Sequence, residues 1–418
     1  MLVTHNPKGV CIALNLTSAI SIWAWLKQGL AIITLFSYST FSSALDFAEG
    51  KGQIHGFITQ GLVTSKHNNF YGDSSHGISL DFREVGINGS YRFNTNLLVS
   101  AQTLSRRAGE MDDGSLALDY GFVDLRAINT DATTLGFRLG RMKNPYGLYG
   151  ETRDVATTRP GIIVPQPIYF DRSRKFALSG DGVHLYHRIQ TNNGSLNTTL
   201  ALVDLPINDR GSKSLFIGPN AQGKFDQDSL SKALRILYET DDTRWRGGLS
   251  YISASQRYHP IAGDINPPSG SLIEPWIVSL QYSNEQWTLT GEYSQRNTEF
   301  TRNQRLIADY IAESWYVQSQ YRFAPKWELL LRYDATAMDR SDAKGKRFAA
   351  STPSAIPFTR YAQDWVAGVR YDVTPEFMLR AELHSIEGTE WVSPLENPVS
   401  SDLNKHWNMF MLMGSYYF

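Results

Sequence analysis

The sequence predicts an all-β fold, a transmembrane antiparallel β-barrel of 16 strands, and three observations carry that prediction. From about residue 45 onward, apolar and polar residues alternate with a period of two, in segments of about ten residues. The connections between these segments alternate short and long. Aromatic residues gather at the segment ends beside the short turns, where amphipathic rings favour a lipid–water boundary.

Composition narrows the alternatives. The 418 residues carry 40 Lys or Arg against 41 Asp or Glu, so no general basic field exists to hold nucleic acid. Aromatics at 12% exclude a disordered chain. After about residue 45 nothing offers eighteen consecutive apolar residues, which excludes a helical membrane bundle. The single cysteine, Cys11, permits no internal disulfide and no Cys-based metal site.

The N-terminal region from Val10 to Phe41 is apolar but interrupted by Lys27, and it ends in Phe41-Ser42-Ser43-Ala44. Small residues at those positions suit a signal peptidase, so residues 1–44 read as a secretory signal peptide with Lys27 as its positive region and Leu30 to Phe36 as its apolar core. The stretch before Lys27 then reads as a misplaced start, and a signal anchor is the alternative. Cleavage after Ala44 removes Lys8 and Lys27 and no acid, leaving 38 bases against 41 acids in a single domain, 45–418.

Three strands show the alternation most clearly. Val85 to Phe93 sets Val, Ile, Gly, Tyr and Phe against Gly, Asn, Ser and Arg; Trp315 to Phe323 and Trp327 to Asp334 divide in the same way. Seven short turns, at 94–96, 129–131, 191–193, 241–242, 284–285, 324–326 and 373–375, are rich in turn formers. Eight long connections run roughly 64–77, 106–115, 143–178, 205–229, 255–274, 297–311, 337–362 and 387–405. Fifteen connections join sixteen strands, with both termini on the short side, which is the layout of an outer-membrane barrel.

Trp245, Trp287, Trp327 and Phe377 open strands just after short turns, and Tyr91, Phe93 and Tyr321 close strands just before them. They predict an aromatic girdle at one height. A second girdle near the long loops is expected from Tyr251, Trp276, Tyr293, Tyr333, Trp365 and Trp407. A soluble sandwich or propeller has no reason to assemble such belts.

The last strand, Phe410 to Phe418, carries apolar residues at every second position and ends on an aromatic. It resembles the C-terminal strand of Gram-negative outer-membrane porins, and the resemblance makes Tyr416 and Phe418 an assembly signal. Gly140-Arg141-Met142-Lys143-Asn144-Pro145-Tyr146-Gly147-Leu148-Tyr149-Gly150-Glu151-Thr152-Arg153-Asp154 is similar to a segment of porin-like proteins from marine and environmental gammaproteobacteria. The resemblance covers the mature length. It implies a water-filled outer-membrane channel for passive diffusion of small hydrophilic solutes and ions, a homotrimer, contact with outer-membrane lipid and lipopolysaccharide, and insertion by the barrel-assembly machinery. The acidic Pro-Glu-Phe-Gly-Gly-Asp motif of enterobacterial general porins is absent, and their cation preference is not carried over.

Sixteen strands tilted by about 40° enclose a backbone cylinder of roughly 30 Å diameter, too wide for side chains to fill. The third long loop, 143–178, is the longest and follows the fifth strand, the place from which porins fold a loop into the lumen; by that resemblance it forms the constriction. Pro145, Pro160, Pro165 and Pro167 limit its unfolded freedom. Its charges are Lys143, Arg153, Arg159, Arg172, Arg174 and Lys175 against Glu151, Asp154 and Asp171, a surplus of three bases.

Strand parity turns Arg92, Arg138, Arg188, Arg244, Arg246, Arg322, Arg332, Arg370 and Arg380 into the lumen with Glu84, Glu292, Glu328, Asp334, Asp372 and Glu382. Rings of arginine raise the local anion concentration, so a weak anion preference is expected. Phe57, Phe122 and Leu202 leave the facing of strands 1, 4 and 7 open.

Nothing in the sequence calls for an enzyme or a cofactor. No His-Glu-x-x-His, Gly-x-Ser-x-Gly or phosphate-binding Gly-Lys-Ser/Thr motif occurs. His184 and His187, three apart on a strand, point to opposite faces, and Asp112-Asp113 reads as solvated loop charge. Two alternatives stay open: a substrate-specific channel for sugars, phosphate or other small anions, with Tyr146, Tyr149 and Tyr169 along the path, and a surface receptor or adhesin built on the long loops.

Overall fold

The computed structural model describes residues 45–418, and the expected signal peptide lies outside the described residues. Period-two alternation produces strands throughout. The barrel is built from β2 (Gly52–Lys66), β3 (Ser79–Asn94), β4 (Leu97–Ala108), β5 (Asp112–Asn129), β6 (Thr133–Lys143), β7 (Ser179–Thr191), β8 (Gly194–Asp204) and β10 (Ser231–Thr240). It continues through β11 (Trp245–His259), β12 (Ser269–Ser283), β13 (Trp287–Arg302), β14 (Arg305–Ala324), β15 (Trp327–Ala337), β16 (Tyr361–Asp372), β17 (Phe377–Gly388) and β18 (His406–Tyr417). Two further strands are short: β1 (Leu45–Phe47) pairs with the start of β2, and β9 (Lys224–Gln227) lines the end of β11.

All sixteen barrel strands pair antiparallel with their neighbours, and β18 closes on β2 from Tyr417↔Phe57 to Asn408↔Lys66. Phe418 completes the seam by exchanging two backbone hydrogen bonds of 3.0 Å with Gly56. Its ring lies where a Cβ on Gly56 would come within 2.6 Å, so any side chain there would have to displace the ring. Closure leaves no unpaired edge, the condition for strands to cross a membrane.

Three of the eight expected long loops are mostly strand. The connection after β4 is only residues 109–111, that after β11 is 260–268, and that after β13 is 303–304. β13 and β14 run on as a hairpin to Arg302↔Arg305, turned by Asn303 and Gln304 at φ 47° and 63°. Two successive positive φ values match the twist of paired strands. Beyond the membrane both faces of such a hairpin meet water, so its exposed Glu299, Arg302, Arg305 and Asp309 read as loop in a sequence while the ladder continues.

The lower girdle forms by direct cross-strand pairing of Trp245 with Tyr282 (ring centroids 4.8 Å apart), Trp287 with Tyr321 (4.3 Å) and Trp327 with Tyr371 (4.4 Å), and by Tyr91 against Phe93 along one strand (4.7 Å). Phe377 opposes Tyr416 on β18. The upper belt holds Trp276–Tyr293, Trp315–Tyr333 and Tyr333–Trp365. Trp407 is a correction: it is buried and points inward, its indole N–H donating to the Gly388 carbonyl at 3.0 Å.

The inner face is not uniformly wet. Met409, Met411 and Met413 of β18 and Met378 of β17 pack with Ile162 and Ile163 of the third loop in one apolar cluster. Phe57 faces inward and Leu202 outward, and Phe122 lies inside beneath Arg138. These positions fix the three strands whose parity the sequence leaves open.

Candidate functional site: the lumen and its crossing loop

The long loop between β6 and β7, residues 144–178, enters the barrel and reaches walls on several sides. Gly147 starts the crossing at φ +54°, and a Cβ there would run into the Tyr169 hydroxyl. Its N–H donates to Ser250 Oγ at 3.0 Å, and the Leu148 N–H donates to Glu292 at 3.0 Å. Glu292 also accepts from Tyr169 Oη at 2.6 Å, Tyr316 Oη at 2.7 Å and Ser279 Oγ at 2.5 Å. One inward carboxylate on β13 thus collects four donors, two of them from the loop. Tyr149 Oη accepts from Gln318 at 3.2 Å.

The far limb is held by β15 and β17. Arg380 donates to the carbonyls of Gly161 at 2.7 Å and Ala156 at 3.2 Å, Arg332 donates to that of Ile163 at 3.2 Å, and Glu382 accepts from the Ile162 N–H at 2.5 Å. Behind these contacts Arg332 pairs with Asp334 at 3.0 Å, and His384 stands 2.7 Å from Asp364 and 3.4 Å from Glu382. The side chains of this cluster are almost wholly buried. Such charges are costly to dehydrate and persist because each is paired or hydrogen-bonded.

The return limb is an ion-pair lattice. Arg153 meets Asp171 at 3.2 Å, and Arg106 of β4 meets Asp171 at 3.0 Å and also pairs with Asp112. Arg159 grips Glu84 through both nitrogens, at 3.1 and 2.8 Å. Lys143, the last residue of β6, bridges Asp119 at 2.5 Å and Asp154, which also binds Arg174. Lys175 reaches Asp112 at 3.1 Å, and Glu151 pairs with Arg235 of β10. Burial pushes the Asp171 carboxyl up, but Arg106, Arg153 and Arg174 outweigh it and hold it at about 2. Asp154 is likewise buried, and Arg174 and Lys143 carry it well below the usual carboxylate range.

This geometry corrects the expected role of the loop charges. Glu84, Asp112 and Asp119 on the wall pair with the loop bases, and Arg153, Asp154, Arg159, Asp171 and Arg174 are buried, so they do not form a ring open to water. Arg332, Arg380, Glu292 and Glu382 face inward as parity predicts, but they act as anchors of the loop. Arg138 and Arg246 keep about a third of their side chains exposed: Arg138 pairs with Asp124 at 3.1 Å and lies over Tyr186, and Arg246 is 3.9 Å from Glu239. The wall acids Glu84, Asp112 and Asp119 and the Asp364–His384 pair were not singled out as loop anchors. Glu84 was visible by parity; Asp119 sits at a register shift and Asp112 at the start of β5, whereas Asp364 and His384 lie on regular strands. His184 is buried facing inward and His187 binds Thr133 at 2.8 Å on the other face, so no shared site forms. Among the described residues no group of His, Cys, Asp and Glu has metal-binding geometry.

A closed sixteen-stranded barrel, girdled by aromatics and crossed by an inward loop, has the fold of outer-membrane porins. A family model described as phosphate-selective porin O and P matches residues 252–388, about a third of the chain. The outer-membrane channel DcaP of Acinetobacter baumannii is similar in structure at 11% identity, with TM-score 0.55, over 90% of this chain and 100% of that one. The anion-selective porin from Comamonas acidovorans matches at 11% identity and TM-score 0.53, over 88% and 99%. OmpF of Salmonella typhi, in complex with daunomycin, matches at 12% identity and TM-score 0.53, over 90% and 100%. No curated protein matches the chain in sequence.

Proposed function

We propose that the chain is an outer-membrane channel for passive diffusion of small hydrophilic solutes and ions, with passage limited by the loop 144–178. The observation that carries this reading is the loop itself, pinned to opposite walls of a barrel too wide to close by side chains alone. Refolded mature protein should give step-like conductance in planar bilayers. A folded, inserted barrel that conducts nothing would sink the channel and favour a loop-borne receptor or adhesin.

A weak anion preference belongs to this reading, supported by Arg138 and Arg246 in the open part of the lumen and no longer by the loop charges. Assembly as a homotrimer is supported by the apolar outer wall at Val85, Ile87, Val99, Leu118 and Leu125, all exposed on the single chain. Contact with lipopolysaccharide would fall to the long-loop end, and delivery to the membrane by the barrel-assembly machinery to the strand ending in Tyr416 and Phe418. A second reading, a channel specific for an oxyanion, is favoured by the family match over residues 252–388, which span Arg296, Arg332, Arg360 and Arg380. Saturable block by one solute would separate it from general diffusion.

A further inference from the structure

Above the crossing loop lies a cavity of about 1160 Å³ between that loop and the connections after β8, β15 and β17. Its lining has two chemistries. One side is apolar, with Phe176 and Phe216 paired at 5.1 Å and Ile252 and Ile277 on the wall behind them. The other side holds Arg172, Arg296 and Arg360, none of which is in an ion pair among the described residues. Arg172 lies over Phe170 at 5.5 Å and Arg360 over Phe348 at 4.4 Å, so each guanidinium rests on a ring and leaves its N–H edge to other partners. Glu390 is buried and lies within the field of all three; Arg172 bonds only its backbone carbonyl, at 3.1 Å. The lining also holds Asp309, Arg347 and Lys232. Asp339 and Asp342, also on the lining, are engaged in capping backbone N–H groups.

Three arginines without ion pairs at the edge of an apolar chamber suit a ligand that is itself divided. A bare inorganic oxyanion would satisfy the arginines but leave the apolar side in contact with water. A neutral aromatic would do the reverse. We infer that this vestibule binds organic anions that carry a carboxylate on an aromatic or branched apolar body, with the carboxylate at Arg172, Arg296 and Arg360 and the body against Phe176 and Phe216. The inference deepens the channel reading by giving it a substrate class.

The test is isothermal titration of the folded, detergent-solubilised barrel with 3-phenylpropionate, inorganic phosphate and 3-phenylpropanol, followed by the same solutes as blockers in bilayers. Phenylpropionate should bind at least about tenfold more tightly than either comparison compound. Arg296→Gln should weaken both anions about tenfold, the loss of one charge-assisted contact. Phe216→Ala should weaken phenylpropionate about fivefold and leave phosphate within about twofold. Phosphate binding as tightly as phenylpropionate, or phenylpropionate binding unchanged in both variants, would overturn the inference. Binding without conductance would uphold the vestibule and remove the channel; conductance with no binding of phenylpropionate would do the opposite.

Discussion

Replacing Arg380 by Leu should loosen the far limb of the crossing loop rather than change which ions pass. The guanidinium donates to the carbonyls of Gly161 and Ala156 from a side chain that is only 3% exposed. Each hydrogen bond from a charged donor is worth about 1.5–3 kcal/mol. Removing a dehydrated charge returns part of that. A net loss of about 2–3 kcal/mol raises the ratio of detached to docked loop by about 30- to 150-fold. Ala156, 1% exposed, reports the event when replaced by Cys in a protein expressed from Leu45 onward, which excludes Cys11, the single cysteine of the sequence. Maleimide labelling of Ala156→Cys should accelerate by that factor in the Arg380→Leu background, with larger and noisier conductance steps. Unchanged labelling together with a shifted reversal potential would refute the reasoning, since Arg380 would then act as a charge in the aqueous path.

Three further outcomes follow from the same contacts. Arg138→Gln with Arg246→Gln should move the reversal potential under a KCl gradient toward cations, whereas Arg332→Gln, whose charge is buried with Asp334, should move it little. Gly56→Val should drive a side chain into the Phe418 ring and lower the temperature at which the barrel loses its heat-modifiable gel mobility, by about the cost of an overpacked site, 1–3 kcal/mol; an unchanged transition would count against the seam as described. Burial pushes the Glu396 carboxyl up to about 7 from its ordinary 4.5, against backbone N–H bonds from Gly72 and Glu110. A raised value means burial favours the protonated form, so the stability this site lends the fold is fully present below about pH 4.5 and is lost as pH rises through about 7. Hydrogen exchange at Gly72 should therefore quicken over that window, beyond the intrinsic pH effect, and Glu396→Gln should remove the excess.

Parity was legible because lipid imposes it: every outward residue must tolerate hydrocarbon, so Arg332, Arg380, Glu292 and Glu382 could be turned inward from their apolar neighbours alone. What they do there was not legible, because a charged inward residue reads the same whether it meets water or a loop. The turn from selectivity ring to loop anchor depends on Gly161, Ile162 and Ile163 arriving at β15 and β17 from more than 160 residues away in sequence. One signal was available and points the same way. An inner face carrying Met409, Met411 and Met413 in succession makes poor wall for a wet channel, and Ile162-Ile163-Val164 makes a poor solvated loop. Each apolar run is unexplained alone, and each needs the other to be buried, so their pairing across the lumen follows from the hydrophobic effect before any contact is seen. The same argument accounts for the loop charges: once the apolar tip is docked, Arg153, Arg159 and Arg174 are carried into the barrel, where dehydration forces them onto Glu84, Asp154 and Asp171 instead of leaving them free to attract anions.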